Sequence, residues 1–183
     1  MGLFDQLSAL FRHDPEDSSD LPRSTTEERR TKPRVNAQEG TRVLIIDDSK
    51  TIVVAIKKYL RSAGYETLEA FDAETGLSII QQNPPDLVFL DIMLPGMNGF
   101  TALRNIRRDP KTHDVPVIMM SGNEQAVEQF YVSRIGADGF MKKPFTREDI
   151  FSRIEPLLDD KFVPRRIDFV ASAAPARSAT SFA

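Results

Sequence analysis

The chain has 183 residues, of which 40% are hydrophobic and 28% charged, which allows one compact domain of ordinary size with tails. It contains no cysteine, which excludes disulfides, thiolate catalysis and cysteine-based zinc or iron–sulfur sites, and its formal net charge of −3 gives no electrostatic case for nucleic-acid binding. No apolar stretch approaches the roughly 18 residues that span a membrane, and the first residues lack a secretory signal, so we expect a soluble cytoplasmic protein without a transmembrane segment.

The first 41 residues are predicted to lie outside the domain. Residues 1–12 form a short amphipathic segment, because apolar residues recur there at helical spacing, namely Leu3, Phe4, Leu7, Leu10 and Phe11. A helix this short is not stable alone in water, so we expect it to dock on a protein partner. Docking on its own domain, lying on a membrane, and having no function are the alternatives. Residues 13–41 show no apolar periodicity and are predicted to form a disordered linker.

Five strand patterns alternate with five helix patterns over residues 42–160, which we assign to the domain. The predicted strands are Val43–Asp47, Glu66–Ala70, Leu87–Asp91, Val117–Met120 and Gly139–Lys142. The first predicted helix is Lys50–Ser62, with Ser49 as N-cap and Ile52, Ile56 and Leu60 buried, and the second follows the Asp72 cap. The third predicted helix carries Phe100, Leu103 and Ile106, and the fourth carries Val127, Phe130, Tyr131 and Ile135. The fifth is Arg147–Leu158. Residues 161–183 are expected to form a largely disordered tail.

The strand patterns predict an α/β fold. The first, third and fourth strands are continuously apolar, as strands are when helices cover both faces of a parallel sheet. For five such units we expect a doubly wound, flavodoxin-like five-stranded parallel sheet of order 2-1-3-4-5 with helices on both faces. Ligands bind such a sheet where the strand order reverses, here between strands one and three. Those strands end in Asp47-Asp48 and in Asp91.

Polar side chains at the strand ends predict the chemistry of this crevice. Asp47, Asp48 and Asp91 would repel one another unless they share protons or bind a cation, and oxygen ligands without His or Cys suit Mg²⁺. Lys143 supplies a compact positive charge that can pair with a phosphoryl oxygen.

The fourth strand adds donors to the same edge. Ser121 supplies a hydroxyl, and Gly122 can supply a backbone N–H. We therefore predict a site that stabilises phosphoryl transfer to or from a carboxylate.

Four segments in this order resemble the signature of response-regulator receiver domains: Asp47-Asp48, Asp91 to Gly99, Ser121-Gly122 and Lys143-Pro144-Phe145. The resemblance implies that Asp91 takes a phosphoryl group from a sensor histidine kinase or phosphotransfer protein. It implies a Mg²⁺ site formed by Asp47, Asp48, Asp91 and the Met93 carbonyl. It implies that Ser121 contacts the phosphoryl group, that Lys143 pairs with it and that Phe140 is the aromatic switch residue.

The loop residues and two departures complete the comparison with that family. Pro95 and Gly96 shape the loop after Asp91, and the family likeness favours a cis bond before Pro144. Asn98 stands where the family often has Asp, which we expect to affect only the turn. Phe140 stands where it often has Tyr, so switching by packing survives but a hydroxyl contact does not.

Simpler interpretations exist for each candidate residue. Asp47 and Asp48 are also compatible with capping of the first helix, Ser121 with capping of the fourth, and Phe140 with a plain core position. We interpret Lys142 as a solvated neighbour of Lys143 and place both histidines at the surface.

The favoured function is a response regulator without a DNA-binding output domain, similar to stand-alone receivers of chemotaxis and twitching-motility systems. It would signal to a downstream protein through the face of the fourth helix, fifth strand and fifth helix, and would not be an enzyme beyond assisting its own phosphorylation and dephosphorylation. The alternatives are a Mg²⁺-dependent phosphatase or phosphotransferase that forms an aspartyl-phosphate, and a scaffold that works without phosphorylation.

Overall fold

The computed structural model describes residues 38–122 and 136–166. The N-terminal segment 1–12, the linker up to residue 37, the predicted fourth helix with Val127, Phe130, Tyr131 and Ile135, and residues 167–183 lie outside the described residues. Among the residues that are described, no helix has the length and apolar character needed to cross a membrane.

Five parallel strands form one sheet in the order β2-β1-β3-β4-β5, which confirms the predicted fold class. The strand order reverses between β1 and β3, as predicted. Only β2 and β5 are edge strands, since each pairs with one neighbour. The strands are β1 Arg42–Ile46, β2 Glu66–Ala70, β3 Leu87–Asp91, β4 Val117–Ser121 and β5 Gly139–Lys142.

Four helices of the described chain connect and cover these strands. They are α1 Lys50–Arg61, α2 Ala73–Gln82, α3 Gly99–Arg108 and a C-terminal helix, Arg147–Ile154, which continues into a 3-10 turn at Glu155–Leu157. Asp72 caps α2 by accepting the Thr75 N–H, as predicted. The predicted end of the last helix at Leu158 is wrong, because Pro156 cannot donate the backbone hydrogen bond that would continue an α-helix.

The core consists of two apolar clusters, one on each face of the sheet. Alternate strand residues such as Leu44, Leu90 and Met119 pack against α2 and α3. The residues between them, such as Ile45 and Phe89, pack against α1 and the C-terminal helix. Both faces of β1, β3 and β4 are therefore buried, which explains why these strands are apolar without alternation.

The buried face of α1 differs by one residue from the prediction. Ile56 and Leu60 are buried as expected, but Val53 takes the fully buried place predicted for Ile52, which is only partly buried. Positions 53, 56 and 60 lie on one helical stripe, and Ile52 lies at its margin.

Residues 158–166, which we call the C-terminal strap, fold back on the domain. Pro164 is buried and forms an antiparallel bridge with Leu158, and the Arg165 N–H donates to the Leu157 carbonyl at 2.6 Å. Asp159 organises the turn by accepting the N–H of Lys161 at 2.9 Å. Residues 161–166 therefore differ from the largely disordered tail predicted from the sequence. Polar contacts of this kind leave no hydrophobic pattern from which the strap could have been predicted.

Candidate functional site

Three carboxylates meet at the carboxyl edge of the sheet, where β1 and β3 end side by side. Asp91 is the last residue of β3, and Asp47 and Asp48 follow β1. One oxygen of each carboxylate lies within 4.8 Å of the others. Asp47 and Asp91 are buried, whereas Asp48 is exposed. The parallel pairing of β1 with β3 therefore brings together the acidic residues predicted to share this crevice.

Lys143 supplies the positive charge that separates the two buried carboxylates. Its Nζ lies 2.6 Å from Asp47 Oδ2 and 2.9 Å from Asp91 Oδ2. The backbone fixes the base of this side chain, because the Lys143 N–H donates to the Ser121 carbonyl at 2.7 Å and the following peptide bond to Pro144 is cis, as predicted. One ammonium facing three carboxylates leaves a net negative charge at the site.

The start of α1 orients Asp47. Ser49 occupies the predicted N-cap position, but its hydroxyl makes no capping hydrogen bond. Its backbone N–H instead donates to Asp47 Oδ1 at 3.0 Å. Oδ1 of Asp47 thus accepts this N–H, whereas Oδ2 is buried and forms an ion pair with Lys143 without hydrogen-bond geometry.

Asp91 retains an uncommitted oxygen. Its Oδ1 is buried and has no hydrogen-bond partner, whereas Oδ2 is paired with Lys143. Burial raises the pKa of Asp91 above its ordinary value and the nearby charge of Asp47 adds to this, while Lys143 and the Met93 N–H act in the opposite direction. A buried oxygen without a partner is unfavourable in a folded protein, which indicates a place where a cation or a reacting group binds.

The end of β4 completes the edge of the sheet beside Asp91. Asp91 pairs with Met120, so the buried Ser121 follows one residue further along the neighbouring strand. Gly122 comes next and is exposed. The structure therefore brings the predicted phosphoryl-binding residues to the same edge as the carboxylates.

Phe140 lies on β5, opposite Met119 of β4. Its side chain is partly buried and packs against the cluster on the α2 and α3 face. This half-buried position at an edge strand is compatible with a plain core residue and with a switch residue alike, so the assignment stays a prediction.

The loop from Ile92 to Asn98 joins β3 to α3 next to Asp91. Pro95 and Gly96 are exposed, Gly96 has a φ of +72°, and Met93 is 68% exposed. Asn98 caps α3 by accepting the Thr101 N–H at 2.9 Å, which fixes the end of the loop.

Two residues that hold this loop were missed by the sequence analysis. Glu74 of α2 accepts the N–H of Met97 at 3.3 Å. A Cβ on Gly99 would lie 2.1 Å from the backbone carbonyl oxygen of Asp91, so α3 begins directly against the main chain of that residue. The glycine was visible only as part of an Asn-Gly turn, and a single glutamate on a helix carries no distinguishing signal.

Comparisons with known proteins identify a family and several similar proteins. The family model for the response regulator receiver domain matches residues 43–155. The chain is 38% identical to the DNA-binding dual master transcriptional regulator RpaA of Synechocystis over 73% of its own length and 53% of that protein. It is 33% identical to protein PilH of Pseudomonas aeruginosa over 64% of its own length and 97% of that protein.

A solved structure shows the same fold. The chemotaxis protein CheY4 of Vibrio cholerae superposes with a TM-score of 0.61 and 27% identity, covering 65% of this chain and 99% of that one. The chain thus spans about half the length of RpaA but nearly all of PilH and CheY4.

Proposed function

The chain belongs to the response regulator receiver domain family, and from this premise we propose that Asp91 accepts a phosphoryl group from a sensor histidine kinase or a phosphotransfer protein. The observation that carries the proposal is the pair of environments around this carboxylate. Lys143 holds Oδ2 at 2.9 Å, and Oδ1 is buried without a hydrogen-bond partner. One oxygen is thus held in place while the other is available to react.

The transfer is a substitution at phosphorus. Asp91 Oδ1 forms the new O–P bond, the P–N bond to the donor histidine breaks, and the imidazole takes up a proton as it leaves. Charge then builds on the phosphoryl oxygens at an edge that already carries three carboxylates. Lys143 contacts Asp91 at 2.9 Å, and in this proposal its ammonium pairs with one of those oxygens.

We propose that Mg²⁺ is held by Asp47, Asp48, Asp91 and the Met93 carbonyl. The donor set fits this ion, since all its ligands are oxygens and three of them gather within 4.8 Å. When bound, the ion supplies positive charge close to the phosphoryl oxygens.

Ser121, Gly122 and Phe140 would read the modification. A phosphoryl group adds nearly two negative charges and three acceptor oxygens at pH 7, which the Ser121 hydroxyl and the Gly122 N–H can approach. Movement of Ser121, which is fully buried at the end of β4, opens space for Phe140 to turn inward from its half-buried position. Populations shift provided that the two arrangements differ by only a few kcal/mol.

Output would pass through protein contacts on the face of β5, the C-terminal helix and the predicted fourth helix. Likeness to PilH and CheY4, which the chain covers almost entirely, supports a role as a signalling domain in chemotaxis or twitching motility rather than as a turnover enzyme. We propose a cytoplasmic protein that has a downstream protein partner and does not bind nucleic acid. The N-terminal segment 1–12 is proposed to bind a further protein.

The test is phosphorylation of the full chain by a small phosphodonor with Mg²⁺, followed by intact-mass measurement. We expect one phosphoryl group per folded chain, and none in Asp91→Asn. Asp114→Asn is the matched control, because Asp114 is an exposed carboxylate in the loop between α3 and β4. Equal modification of Asp91→Asn and Asp114→Asn, or no modification of any of the three proteins, would refute the assignment. Repeated turnover of phosphate esters would favour the phosphatase.

A further inference from the structure

A second charged cluster lies at the opposite edge of the sheet from Asp91. Asp138 directly precedes β5, its side chain is 2% exposed, and two arginines contact it. Arg107 comes from the end of α3 and Arg166 from the C-terminal strap. The cluster lies at the amino ends of β4 and β5, where Asp138 also accepts the Val117 N–H at 2.8 Å.

Arg107 is the more deeply buried arginine of this cluster. Its guanidinium lies 2.7 Å from Asp138 Oδ2 and also donates to the Gly136 carbonyl and the Val115 carbonyl, each at 2.7 Å. Burial lowers the pKa of Arg107 to about 10. Its NH1 also donates to the His113 carbonyl at 3.1 Å, and this number of bonds to one buried guanidinium indicates a structural contact.

Arg166 binds the same cluster more loosely. Its Nε lies 3.4 Å from Asp138 Oδ1 and makes no hydrogen bond, and its NH1 donates to the His113 carbonyl at 3.2 Å. Its side chain is 28% exposed, against 10% for Arg107. With a longer contact to Asp138 and a more exposed side chain, Arg166 is the less tightly held of the two arginines.

The edge strand β5 connects this cluster to the phosphorylation site. It has four residues, Gly139–Lys142, and pairs only with β4. Asp138 precedes the strand at one end, and Lys143 follows it at the other, in contact with Asp91. The strand is short, about 13 Å at 3.3 Å per residue, so the Asp138 cluster and Lys143 lie at the two ends of one element.

We propose that the C-terminal strap is a latch on β5, in which Arg166 opposes the rearrangement that accompanies phosphorylation of Asp91. This inference rests on the proposed function. The contacts of Arg166 are present together with Lys143 bridging Asp47 and Asp91, so the latch proposed here belongs to the unphosphorylated arrangement. A phosphoryl group that draws Lys143 away displaces β5 and strains the latch. By linkage, releasing the latch makes the phosphorylated arrangement easier to reach.

Arg166→Ala in the full chain tests the latch, with Arg165→Ala as the matched control. Arg165 is also an arginine of the strap, but it pairs with Asp159 inside the strap itself. Beryllofluoride with Mg²⁺ serves as the phosphoryl mimic, and its affinity is measured by titration. Hydrogen exchange of the amides from Gly136 to Gly139 measures docking of the strap independently of the phosphorylation site.

We expect Arg166→Ala to bind beryllofluoride about fivefold more tightly than the wild type, at the low end of typical coupling between sites, and to exchange faster at Gly136 to Gly139. Arg165→Ala should match the wild type in both. Faster exchange with unchanged affinity would reduce the strap to a structural element and overturn the coupling. Unchanged exchange would overturn the latch itself.

Failure of the wild type to bind beryllofluoride would refute the proposed function and the coupling with it. The exchange measurement would still decide whether Arg166 docks the strap, so the two failures are distinguishable.

Discussion

Gly99→Ala tests the packing that positions Asp91. The new Cβ would lie 2.1 Å from the Asp91 carbonyl oxygen, 2.9 Å from its carbonyl carbon and 3.0 Å from the Ile92 Cα. To increase the distance between the new Cβ and the Asp91 carbonyl oxygen from 2.1 Å to even 3.0 Å, α3 and the end of β3 must move apart by 0.9 Å. Both partners are backbone atoms, so no side-chain rotation can absorb the overlap.

Overpacking of this kind costs about 3 kcal/mol, the upper end of the usual range, because the Gly99 N–H bond to the Ile92 carbonyl must also adjust. We expect the free energy of unfolding, measured by urea denaturation, to fall by that amount. We also expect phosphorylation of Asp91 by a small donor to slow, since the backbone that carries the carboxylate moves.

Gly76→Ala is the control, because Gly76 is also buried on a helix. The three atoms nearest to its Cβ all belong to the Ile46 side chain, with Cδ1 at 2.4 Å, Cγ1 at 2.9 Å and Cγ2 at 3.3 Å, so side-chain repacking without main-chain movement can relieve the overlap. The gain in helix propensity, about 1 kcal/mol, offsets the repacking of Ile46. Stability should stay within about 1 kcal/mol of the wild type, with normal phosphorylation. The reasoning is refuted if Gly99→Ala is as stable as the wild type, or if Gly76→Ala slows phosphorylation equally.

Three further results are expected. Asn98→Ala should lower the free energy of unfolding in urea by about 1 kcal/mol through loss of the α3 cap, whereas Asn98→Asp should change it by only about a few tenths of a kcal/mol. Equal losses in the two variants would contradict the capping role. Lys143→Met leaves buried Asp91 without its cation and should destabilise the metal-free protein by about 3 kcal/mol at pH 7. Part of the lost stability should be recovered on adding Mg²⁺. An unchanged midpoint of urea unfolding would contradict the ion pair. Hydrogen bonds from Thr146 lower the pKa of Asp149. The ionised Asp149 carboxylate therefore stabilises the fold above the ordinary carboxyl pKa, and this stabilisation is lost as the pH falls through the lower pKa of the folded state. The Tm difference between wild type and Asp149→Asn should be largest at neutral pH and vanish in acid.

The sheet was predictable from the sequence because its signals are local. Apolar runs such as Leu87 to Leu90 mark strands buried on both faces, and Asp72 and Gly64 mark where helices begin and end. Helix ends were less predictable, as Pro156 shows at the C-terminal helix, because local propensities compete there over one or two residues.

The composition of the candidate site was also predictable, because a parallel sheet places the carboxyl ends of its strands at one edge. Asp47, Asp91 and Lys143 could be assigned to one crevice without coordinates. The sequence did not indicate which oxygen is committed, since that depends on distances between strands. Only the folded chain pairs Lys143 with Asp91 Oδ2 and leaves Oδ1 without a partner.

The strap and its cluster were decided by tertiary structure alone. Arg107, Asp138 and Arg166 are isolated charged residues in the sequence, and such residues are usually solvated. They meet because α3, β5 and the strap end at the same edge of the sheet. Sequence periodicity reports which face of an element is apolar, whereas a buried ion pair depends on where three separate elements end in space, which no local pattern contains.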